Sequence, residues 1–230
     1  MSRSDETYRI IIVGAGIIGL TTACTLLKEY ANNDNIQITI VSESFSPYTT
    51  GDISAGYWEP YGLENLDERT LRWAGYSYRI FLEEYFSNKA ARAGVMKMTS
   101  YVLKGFAGQQ NAKNHVFIKP KFSELVRHFR QLDQHEIGLF DHLQPLSGFA
   151  MSSIAVEMSK YLPQLHRFLA RDVRVRFIKR KIHSINELKD KANLIINCSG
   201  LASRYLVGDQ TIRPARGQVL ISSLVFFFLC

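Results

Sequence analysis

A glycine-rich segment near the start of the chain constrains the fold more than any other feature. It reads Gly14-Ala15-Gly16-Ile17-Ile18-Gly19. The β-branched run at 10–13 precedes it and predicts a strand buried on both faces of a parallel sheet. The residues behind it repeat at the spacing of one apolar helix face: Leu20, Ala23, Cys24 and Leu27. A second β-branched run at 36–41 completes a strand–helix–strand unit.

This arrangement is typical of a dinucleotide-binding turn. Gly14 permits a tight turn, Gly16 lets a pyrophosphate approach the backbone, and Gly19 lets helix and strand pack closely. The helix N-terminus then offers free N–H groups to the phosphates. Glu43 follows the second strand, where an acidic residue accepts hydrogen bonds from ribose hydroxyls and would repel the 2′-phosphate of NADP. A glycine-rich turn in an ordinary sheet does not account for this acid, and the motif alone does not distinguish FAD from NAD.

Composition excludes several other classes of protein. The chain has 230 residues, 46% of them hydrophobic and 21% charged, as expected of a globular protein. Its net charge of +7 is concentrated in 171–191, where Arg174 and Arg176 alternate with apolar residues. This alternation is typical of the solvent face of a strand, and no nucleic-acid recognition motif accompanies it. We therefore expect no nucleic-acid partner.

The three cysteines and the two chain ends carry further predictions. Cys24, Cys198 and Cys230 are too scattered for a disulfide framework or a zinc site, so no metal is predicted. The polar start at 1–7 has no signal-peptide core, which favours an intracellular location. The apolar run at 219–230 is too short to span a bilayer, so no membrane partner is expected.

The stretch 45–61 predicts a long ordered loop, because its small, hydroxyl and aromatic residues follow neither a helical nor a strand period. Such loops are often functional, although a plain surface loop is the alternative. Small residues let the backbone approach a flat ligand, and Tyr57, Trp58 and Tyr61 can form a pocket wall.

Residues of this loop resemble the D-amino-acid oxidase family of FAD enzymes, which includes the D-aspartate oxidases. The matching positions are Thr49, Thr50, Asp52, Ala55, Gly56 and Pro60, after the GAGxxGL turn. The resemblance implies a loop lying over the isoalloxazine and favours FAD over NAD. The stretch 197–220 resembles the D-aspartate oxidase branch in particular. That resemblance implies that Ile182 contacts the adenine side through its backbone and that Ser199 lies close to the FAD.

Motif and resemblance together give the residues expected to bind FAD. They are Gly14, Ala15, Gly16, Ile17, Ile18, Gly19, Glu43, Ser44, Thr49, Thr50, Gly51, Ala55, Gly56, Tyr57, Ile182 and Ser199. No residue is predicted to be catalytic, since the flavin carries the chemistry and the protein orients the substrate. The histidines at 115, 128, 135 and 142 lack metal-ligand spacing and are expected to be ordinary polar residues.

We predict an α/β fold with a discontinuous, Rossmann-like FAD-binding domain and an inserted, incomplete α+β cap (substrate) domain. The predicted parts are 1–91 and 152–216 for the FAD-binding domain, 92–151 for the cap, and 217–230 for a truncated strand with an apolar tail. Helical spacing predicts a helix over 67–86 and a short one over 122–129. Strands are predicted at 93–103 and 116–119, and Pro163 is placed in the first turn of a further helix.

The function implied by the resemblance is oxidative deamination of a D-amino acid by FAD and O2, giving a 2-oxo acid, ammonia and H2O2. D-aspartate or D-glutamate is the expected substrate. A neutral D-amino acid, or a glycine- or sarcosine-type amine, is the first alternative. The second is a truncated, non-catalytic flavin-binding fragment, because the resemblance ends at Leu220 before the family's later substrate and FAD segments. The family is peroxisomal, but no targeting tripeptide ends this sequence. The sequence does not indicate an oligomeric state.

Overall fold

The computed structural model describes residues 7–60, 67–106, 108, 115–215 and 217. These residues form two compact units. Unit 1 comprises the described residues within Met1–Ala55 and Met158–Cys230, and unit 2 those within Gly56–Glu157. The predicted domain boundaries at 91/92 and 151/152 remain predictions, and the predicted tail at 217–230 lies, apart from Gly217, outside the described residues.

The described chain contains six helices and seven strands. The helices are α1 (Ile17–Glu29), α2 (Glu68–Phe86), α3 (Ala90–Ala93), α4 (Gln134–Gly138), α5 (Met158–Leu169) and α6 (Ser203–Leu206). The strands are β1 (Tyr8–Val13), β2 (Ile36–Ser42), β3 (Val95–Phe106), β4 (Arg127–Gln131), β5 (Pro145–Val156), β6 (Val175–Lys179) and β7 (Leu194–Asn197). Within the described residues, no helix is long and apolar enough to cross a membrane.

Unit 1 is built on a four-stranded parallel sheet in the order β6-β2-β1-β7. The register aligns Ile12 with Ile40 and with Ile196. Helix α1 packs on β1 and β2 and against α5, and the core between them is fully buried. The predicted α/β fold with its parallel sheet is confirmed. The prediction succeeded because β-branched runs and an apolar helix face can be recognised from neighbouring residues alone.

Helix α5 begins earlier than predicted, so the placement of Pro163 in its first turn is wrong. Met158 and Leu162 are buried, and their packing extends the helix five residues before the proline. The proline removes only the hydrogen bond that its N–H would donate to residue 159. Residue 159 lies in the first turn of the helix, and the packing of Met158 and Leu162 compensates for the lost hydrogen bond.

Unit 2 is built on a three-stranded antiparallel sheet in the order β3-β5-β4. Central strand β5 pairs with β3 from Val156 opposite Val95 to Pro145 opposite Phe106. Helix α2 packs on this sheet, and the Tyr78 hydroxyl donates to the Ser152 carbonyl at 3.0 Å. The predicted helix over 67–86 is confirmed, with Asp67 capping its N-terminus.

The Trp58 side chain is the centre of the aromatic core in unit 2. Its ring lies 4.7 Å from the Tyr78 ring and 6.2 Å from the Phe122 ring. Its indole N–H donates to Ser77 Oγ at 3.0 Å. The indole is therefore buried with its polar atom satisfied, as a tryptophan in a core requires.

Two sequence predictions fail in unit 2. Residues 116–119 form no strand. Val116 and Ile118 are exposed, and no strand in the described part of the chain pairs with them. The helix predicted over 122–129 is instead a short 3-10 turn, Lys121–Glu124, followed by β4. The apolar residues at 122–129 have helical spacing for another reason. Phe122 is buried against other aromatic rings, and residues 127–131 pair with β5. Both errors arise from long-range pairing, which spacing does not report.

Candidate FAD-binding site

The glycine segment lies where three strands of the parallel sheet end. The Gly14 N–H donates to the Val41 carbonyl at 2.8 Å, and the Cys198 N–H donates to the Val13 carbonyl at 2.8 Å. Strand β1 therefore ends between β2 and β7, which lie on opposite sides of it. Ligands of open α/β sheets bind at the carboxyl ends of the strands where the strand order reverses in this way.

The three motif glycines differ in what surrounds them. A Cβ on Gly14 would stand 2.3 Å from the Cys198 carbonyl oxygen, and Gly14 has a φ of +111°. A Cβ on Gly19 would stand 2.0 Å from the Gly14 carbonyl oxygen. A Cβ on Gly16 would meet no protein atom within 4 Å. The fold thus requires glycine at 14 and 19, whereas Gly16 borders open space large enough for a ligand atom.

The N-terminus of α1 opens onto this space. Gly16 is its N-cap residue, and no side chain accepts a hydrogen bond from the first turn. The first turn also contains no acidic residue. Free N–H groups and the positive end of the helix dipole favour an anion at this position.

The carboxylate predicted to bind ribose stands immediately after β2. Glu43 is exposed, and Lys181 Nζ lies 3.1 Å from its Oε1. Both side chains are more than half exposed, so the ion pair contributes little to stability. The next residue, Ser44, accepts a hydrogen bond from Ser42 Oγ through its carbonyl. Nothing in the sequence indicated the Glu43–Lys181 pair, whose members are 138 positions apart.

The loop at 49–51 is held by an aspartate that the sequence prediction did not include among the site residues. The Asp52 carboxylate accepts from Thr49 N–H at 2.8 Å, from Thr49 Oγ1 at 2.6 Å, and from Ser46 Oγ. These bonds form a capping box around the 3-10 turn Thr50–Ile53. The Thr-x-x-Asp spacing is a signal that could have identified it.

This loop lies close to the N-terminus of α1. A Cβ on Gly51 would stand 3.9 Å from the Ile17 backbone nitrogen and 3.2 Å from Leu162 Cδ1. The structure therefore brings Thr49–Gly51 beside the glycine segment within unit 1. Ala55, further along the loop, is exposed.

Ser199 lies on the opposite side of Gly14, in the turn after β7. Its N–H and Oγ donate to Asn197 Oδ1 at 3.2 and 2.6 Å. Asn197 Nδ2 in turn donates to Ser203 Oγ at 3.0 Å. Asn197 and Ser203 thus fix the turn that contacts Gly14. The sequence analysis did not predict this role for either residue, and a cluster of small polar residues after a buried strand is the pattern that could have indicated it.

Cys198 beside it is a packing residue. Burial raises the pKa of its thiol, partly offset by the Thr22 hydroxyl, whose oxygen lies 3.9 Å from Sγ. The Ile182 side chain is also buried and packs with Val13, Val41 and Leu188 beneath the sheet. The predicted role of Ile182 is a backbone contact with the adenine side of FAD, and burial of its side chain is compatible with that role.

The two remaining predicted residues, Gly56 and Tyr57, belong to unit 2, whereas the other fourteen belong to unit 1. Tyr57 forms an isolated antiparallel bridge with Ala155 of β5. Burial raises the pKa of its hydroxyl, with Ser100 lowering it in part. Burial likewise raises the pKa of Glu59, and the positive charge of Lys104 opposes that rise.

The histidines at 115, 128, 135 and 142 all lie in unit 2. Within the part of the chain that the structure describes, no three His, Cys, Asp or Glu residues are placed to hold a metal ion. His115 Nε2 lies 2.7 Å from Ser147 Oγ, and His128 Nδ1 lies 2.9 Å from Ser152 Oγ. Both rings are hydrogen-bonded within unit 2.

The residues in unit 1 fit a dinucleotide such as FAD. The open space at Gly16 and the uncapped helix N-terminus suit a pyrophosphate, and an exposed carboxylate follows the next strand. These features are the backbone clearance, the dipole and the ribose acceptor that such a cofactor requires.

Comparison with solved structures supports this fold. An L-amino acid deaminase from Proteus vulgaris matches with a TM-score of 0.58 at 13% identity, covering 89% of this chain and 50% of that one. A glycine oxidase from Bacillus cereus matches with a TM-score of 0.55 at 11% identity, covering 88% of this chain and 58% of that one. At such identities the likeness concerns the fold alone.

Sequence comparison extends over nearly the whole chain. Human D-aspartate oxidase is 31% identical over 94% of this chain, and a D-amino acid oxidase of Dugesia ryukyuensis is 29% identical over 92%. The chain spans 60% of the length of each of these relatives. The family model described as FAD dependent oxidoreductase matches residues 9–226. The chain therefore belongs to this family of FAD-dependent oxidoreductases, and FAD is its cofactor.

Proposed function

We propose that this chain forms the FAD-binding part of an enzyme that oxidises D-amino acids. The observation that carries the proposal is the open space at Gly16, bordered by the uncapped N-terminus of α1. When bound, FAD supplies the two-electron acceptor for oxidation of the amino acid to an imino acid, and O2 takes up the electrons to give H2O2.

The chain's own residues bind and orient this cofactor. The N–H groups at the start of α1 donate to the pyrophosphate, and the Glu43 carboxylate accepts from ribose hydroxyls. The Thr49–Gly51 turn, fixed by Asp52, and Ser199, fixed by Asn197, flank the glycine segment. None of these side chains needs to transfer a proton, so their role is positioning.

An acidic D-amino acid is the proposed substrate, because D-aspartate oxidases of Homo sapiens and Caenorhabditis elegans are among the similar proteins, at 31% and 28% identity. Recognition of a second carboxylate requires a second cation. A neutral D-amino acid is the second candidate substrate, because the similar protein of Dugesia ryukyuensis, at 29% identity, is a D-amino acid oxidase whose name specifies no acidic side chain. Release of peroxide with D-aspartate and with D-alanine distinguishes the two, and faster release with D-alanine would reject the acidic substrate.

Substitution of Gly16 tests the binding proposal. Gly16→Ala puts a methyl group into the proposed phosphate space without meeting protein. We expect it to weaken FAD binding by about tenfold or more, since steric exclusion costs at least about 1.4 kcal/mol. The apparent melting temperature without FAD should fall by no more than about 4 °C, because the cost to folding is below about 1 kcal/mol. The measurements are quenching of flavin fluorescence on titration and thermal unfolding by circular dichroism.

The matched control is Gly138→Ala in α4. A Cβ there meets only Asp141 Oδ1, at an ordinary 3.9 Å, and the residue belongs to unit 2. It should leave FAD affinity unchanged. Equal affinity of the Gly16→Ala protein and the unsubstituted protein would refute this use of the glycine segment. If the protein binds FAD but releases no peroxide with any D-amino acid, the result would support the alternative that these 230 residues are a non-catalytic flavin-binding fragment. The chain spans 60% of the length of the human relative.

A further inference from the structure

The face of the parallel sheet opposite α1 has two halves with different chemistry. Near the carboxyl ends of the strands, Val13 and Val41 are buried under Ile182 and Leu188. Towards the amino ends, the same face carries polar residues. The register places Arg9 opposite Gln37 and Thr39 opposite Arg176. This face is thus apolar near the carboxyl ends of the strands and basic towards their amino ends.

A cavity of about 310 Å³ lies on this face and spans both halves. Its lining combines four cations with hydrogen-bonding and apolar side chains: Arg9, Arg176, Arg180, Lys191, Gln37, Thr39, Ile11, Val41, Ile178 and Leu188. The volume is at the lower end of the range of about 300–1,000 Å³ for small-molecule sites. The cavity therefore has room for a compact ligand.

Three of the four cations have no counter-charge within the described ranges. Arg180 donates to the Glu187 carboxylate at 2.5 Å. The side chains of Arg9, Arg176 and Lys191 make no ion pair and no hydrogen bond with any residue that the structure describes. By contrast, nearby Arg174 is bound by Asp172 and two carbonyls. Like charges gathered without partners repel each other, and a bound anion would remove that cost.

We propose that this cavity binds a small polyvalent anion that carries phosphate or carboxylate groups. Guanidinium groups pair with both kinds of oxyanion through two parallel hydrogen bonds. Thr39 and Gln37 supply further donors on the floor of the cavity. The site is separate from the glycine segment, because the cavity lining includes no residue of Gly14–Gly19 and lies on the face of the sheet opposite α1.

A polypeptide segment is a poorer occupant than a small anion. Docking of a helix or strand is driven by burial of apolar surface. The apolar side chains on this face, Val13 and Val41 among them, already pack against Ile182 and Leu188. What remains exposed around the cavity is largely arginine, lysine, glutamine and threonine, which favour a compact, charged and hydrated ligand.

Methyl NMR on the FAD-saturated chain, with labelled isoleucine, tests the proposal. Ile11 and Ile178 line the cavity, whereas Ile17 begins α1 at the phosphate loop. Inorganic pyrophosphate, added at constant ionic strength, should shift the Ile11 and Ile178 signals saturably and leave that of Ile17 unchanged. A parallel titration with citrate assigns the ligand class, since tighter pyrophosphate binding indicates phosphate and tighter citrate binding indicates carboxylate.

Charge-removing variants complete the test. Arg9→Gln with Arg176→Gln should weaken pyrophosphate binding by about tenfold or more, because two charge-assisted contacts are lost. Lys28→Gln with Arg171→Gln removes the same charge from exposed positions outside the cavity and should leave binding unchanged. If the first variant does not fold, Lys191→Gln alone should still weaken binding several-fold.

Three results would overturn the proposal. The first is an absence of saturable shifts at Ile11 and Ile178. The second is equal weakening by the Lys28 and Arg171 variant, which would mean attraction to net charge alone. The third is displacement of pyrophosphate by a hexaglutamate peptide that binds at least tenfold more tightly, which would identify the face as a docking surface for a polypeptide.

Discussion

The two sheets of this molecule are held together by different kinds of contact. In unit 1, backbone hydrogen bonds at the ends of short parallel strands fix the position of Gly14. The Gly14 N–H donates to the Val41 carbonyl, and the Cys198 N–H donates to the Val13 carbonyl. In unit 2, central strand β5 is buried along most of both faces, while its neighbour β3 is exposed over much of its length. Unit 1 therefore depends on close backbone approach, and unit 2 on large side chains packed around β5.

This difference predicts which substitutions each unit tolerates. Backbone approach is sensitive to the addition of a single methyl group, whereas an aromatic core is sensitive to the removal of a ring. Four predictions, from the largest expected effect to the smallest, test whether the contrast holds.

Removal of the Trp58 ring should have the largest effect. Trp58→Ala deletes ring contacts with Tyr78 and Phe122 and leaves Ser77 without its indole donor. We expect the free energy of unfolding of unit 2 to fall by about 3–5 kcal/mol, the usual cost of deleting a buried tryptophan ring. Urea denaturation followed by far-ultraviolet circular dichroism measures it.

The other tryptophan provides the control. Trp73 is 64% exposed on α2 beside Arg69. Trp73→Ala should change the free energy of unfolding by no more than about 0.5 kcal/mol. Similar losses for the two variants would contradict the placement of the unit 2 core around Trp58.

The two units also differ in how well their elements could be predicted from the sequence. In unit 1, β1, α1 and β2 are contiguous, and their β-branched runs and apolar spacing gave the correct elements. In unit 2, the sequence analysis did not predict β5, because Ser147, Ser152 and Ser153 are buried in it and break any apolar alternation. Strand β4 was missed because its partner lies on β5, beyond an intervening helix.

The candidate site shows the same limit. The glycine segment and Glu43 belong to one contiguous strand–helix–strand unit, so local sequence reasoning was enough to predict them as site residues. Lys181, Asn197 and Leu162 come from remote positions and reach the site only through the strand order β6-β2-β1-β7 and the packing of α5. No local pattern encodes that order. Asp52 is the exception, because its capping-box spacing with Thr49 is local.

Addition of a methyl group to Gly19 should have the second-largest effect. Gly19→Ala places Cβ 2.0 Å from the Gly14 carbonyl oxygen, a backbone atom that cannot rotate away. We expect a loss of about 3 kcal/mol in the free energy of unfolding, at the upper end for overpacking. Urea denaturation is again the measurement. Gly16→Ala is the matched control and should cost less than about 1 kcal/mol, and an equal loss for both would contradict the difference in clearance.

The third prediction concerns the exposed carboxylate at the end of β2. Glu43→Arg should weaken FAD binding by about 1.5–3 kcal/mol, because charge-assisted hydrogen bonds to the ribose are lost. Titration of the apoprotein with FAD measures it. Lys181→Met removes only an exposed ion pair and should alter FAD affinity by less than about 1 kcal/mol. Undiminished FAD affinity in the Glu43→Arg protein would remove the ribose role from this residue.

The smallest expected effect is a pH dependence confined to unit 1. The His166 ring lies 4.1 Å from the Phe177 ring and 5.8 Å from the Phe45 ring. Burial lowers the pKa of His166 below its ordinary 6.5, and the charge of Arg167 lowers it further. The unfolded chain therefore takes up a proton more readily than the folded one. The stabilising contribution of neutral His166 is complete above about pH 6.5 and is lost as the pH falls through the lowered pKa.

His166→Gln tests this sign. The variant should show a shallower fall in the free energy of unfolding between pH 7 and pH 5 than the unsubstituted chain, since glutamine does not titrate. His135→Gln removes an exposed histidine of α4 in unit 2 and should keep the original slope. Urea denaturation at half-unit pH intervals measures both. An unchanged slope in His166→Gln would mean that the aromatic packing around this ring does not disfavour its charged form, and that the pH response of unit 1 arises elsewhere.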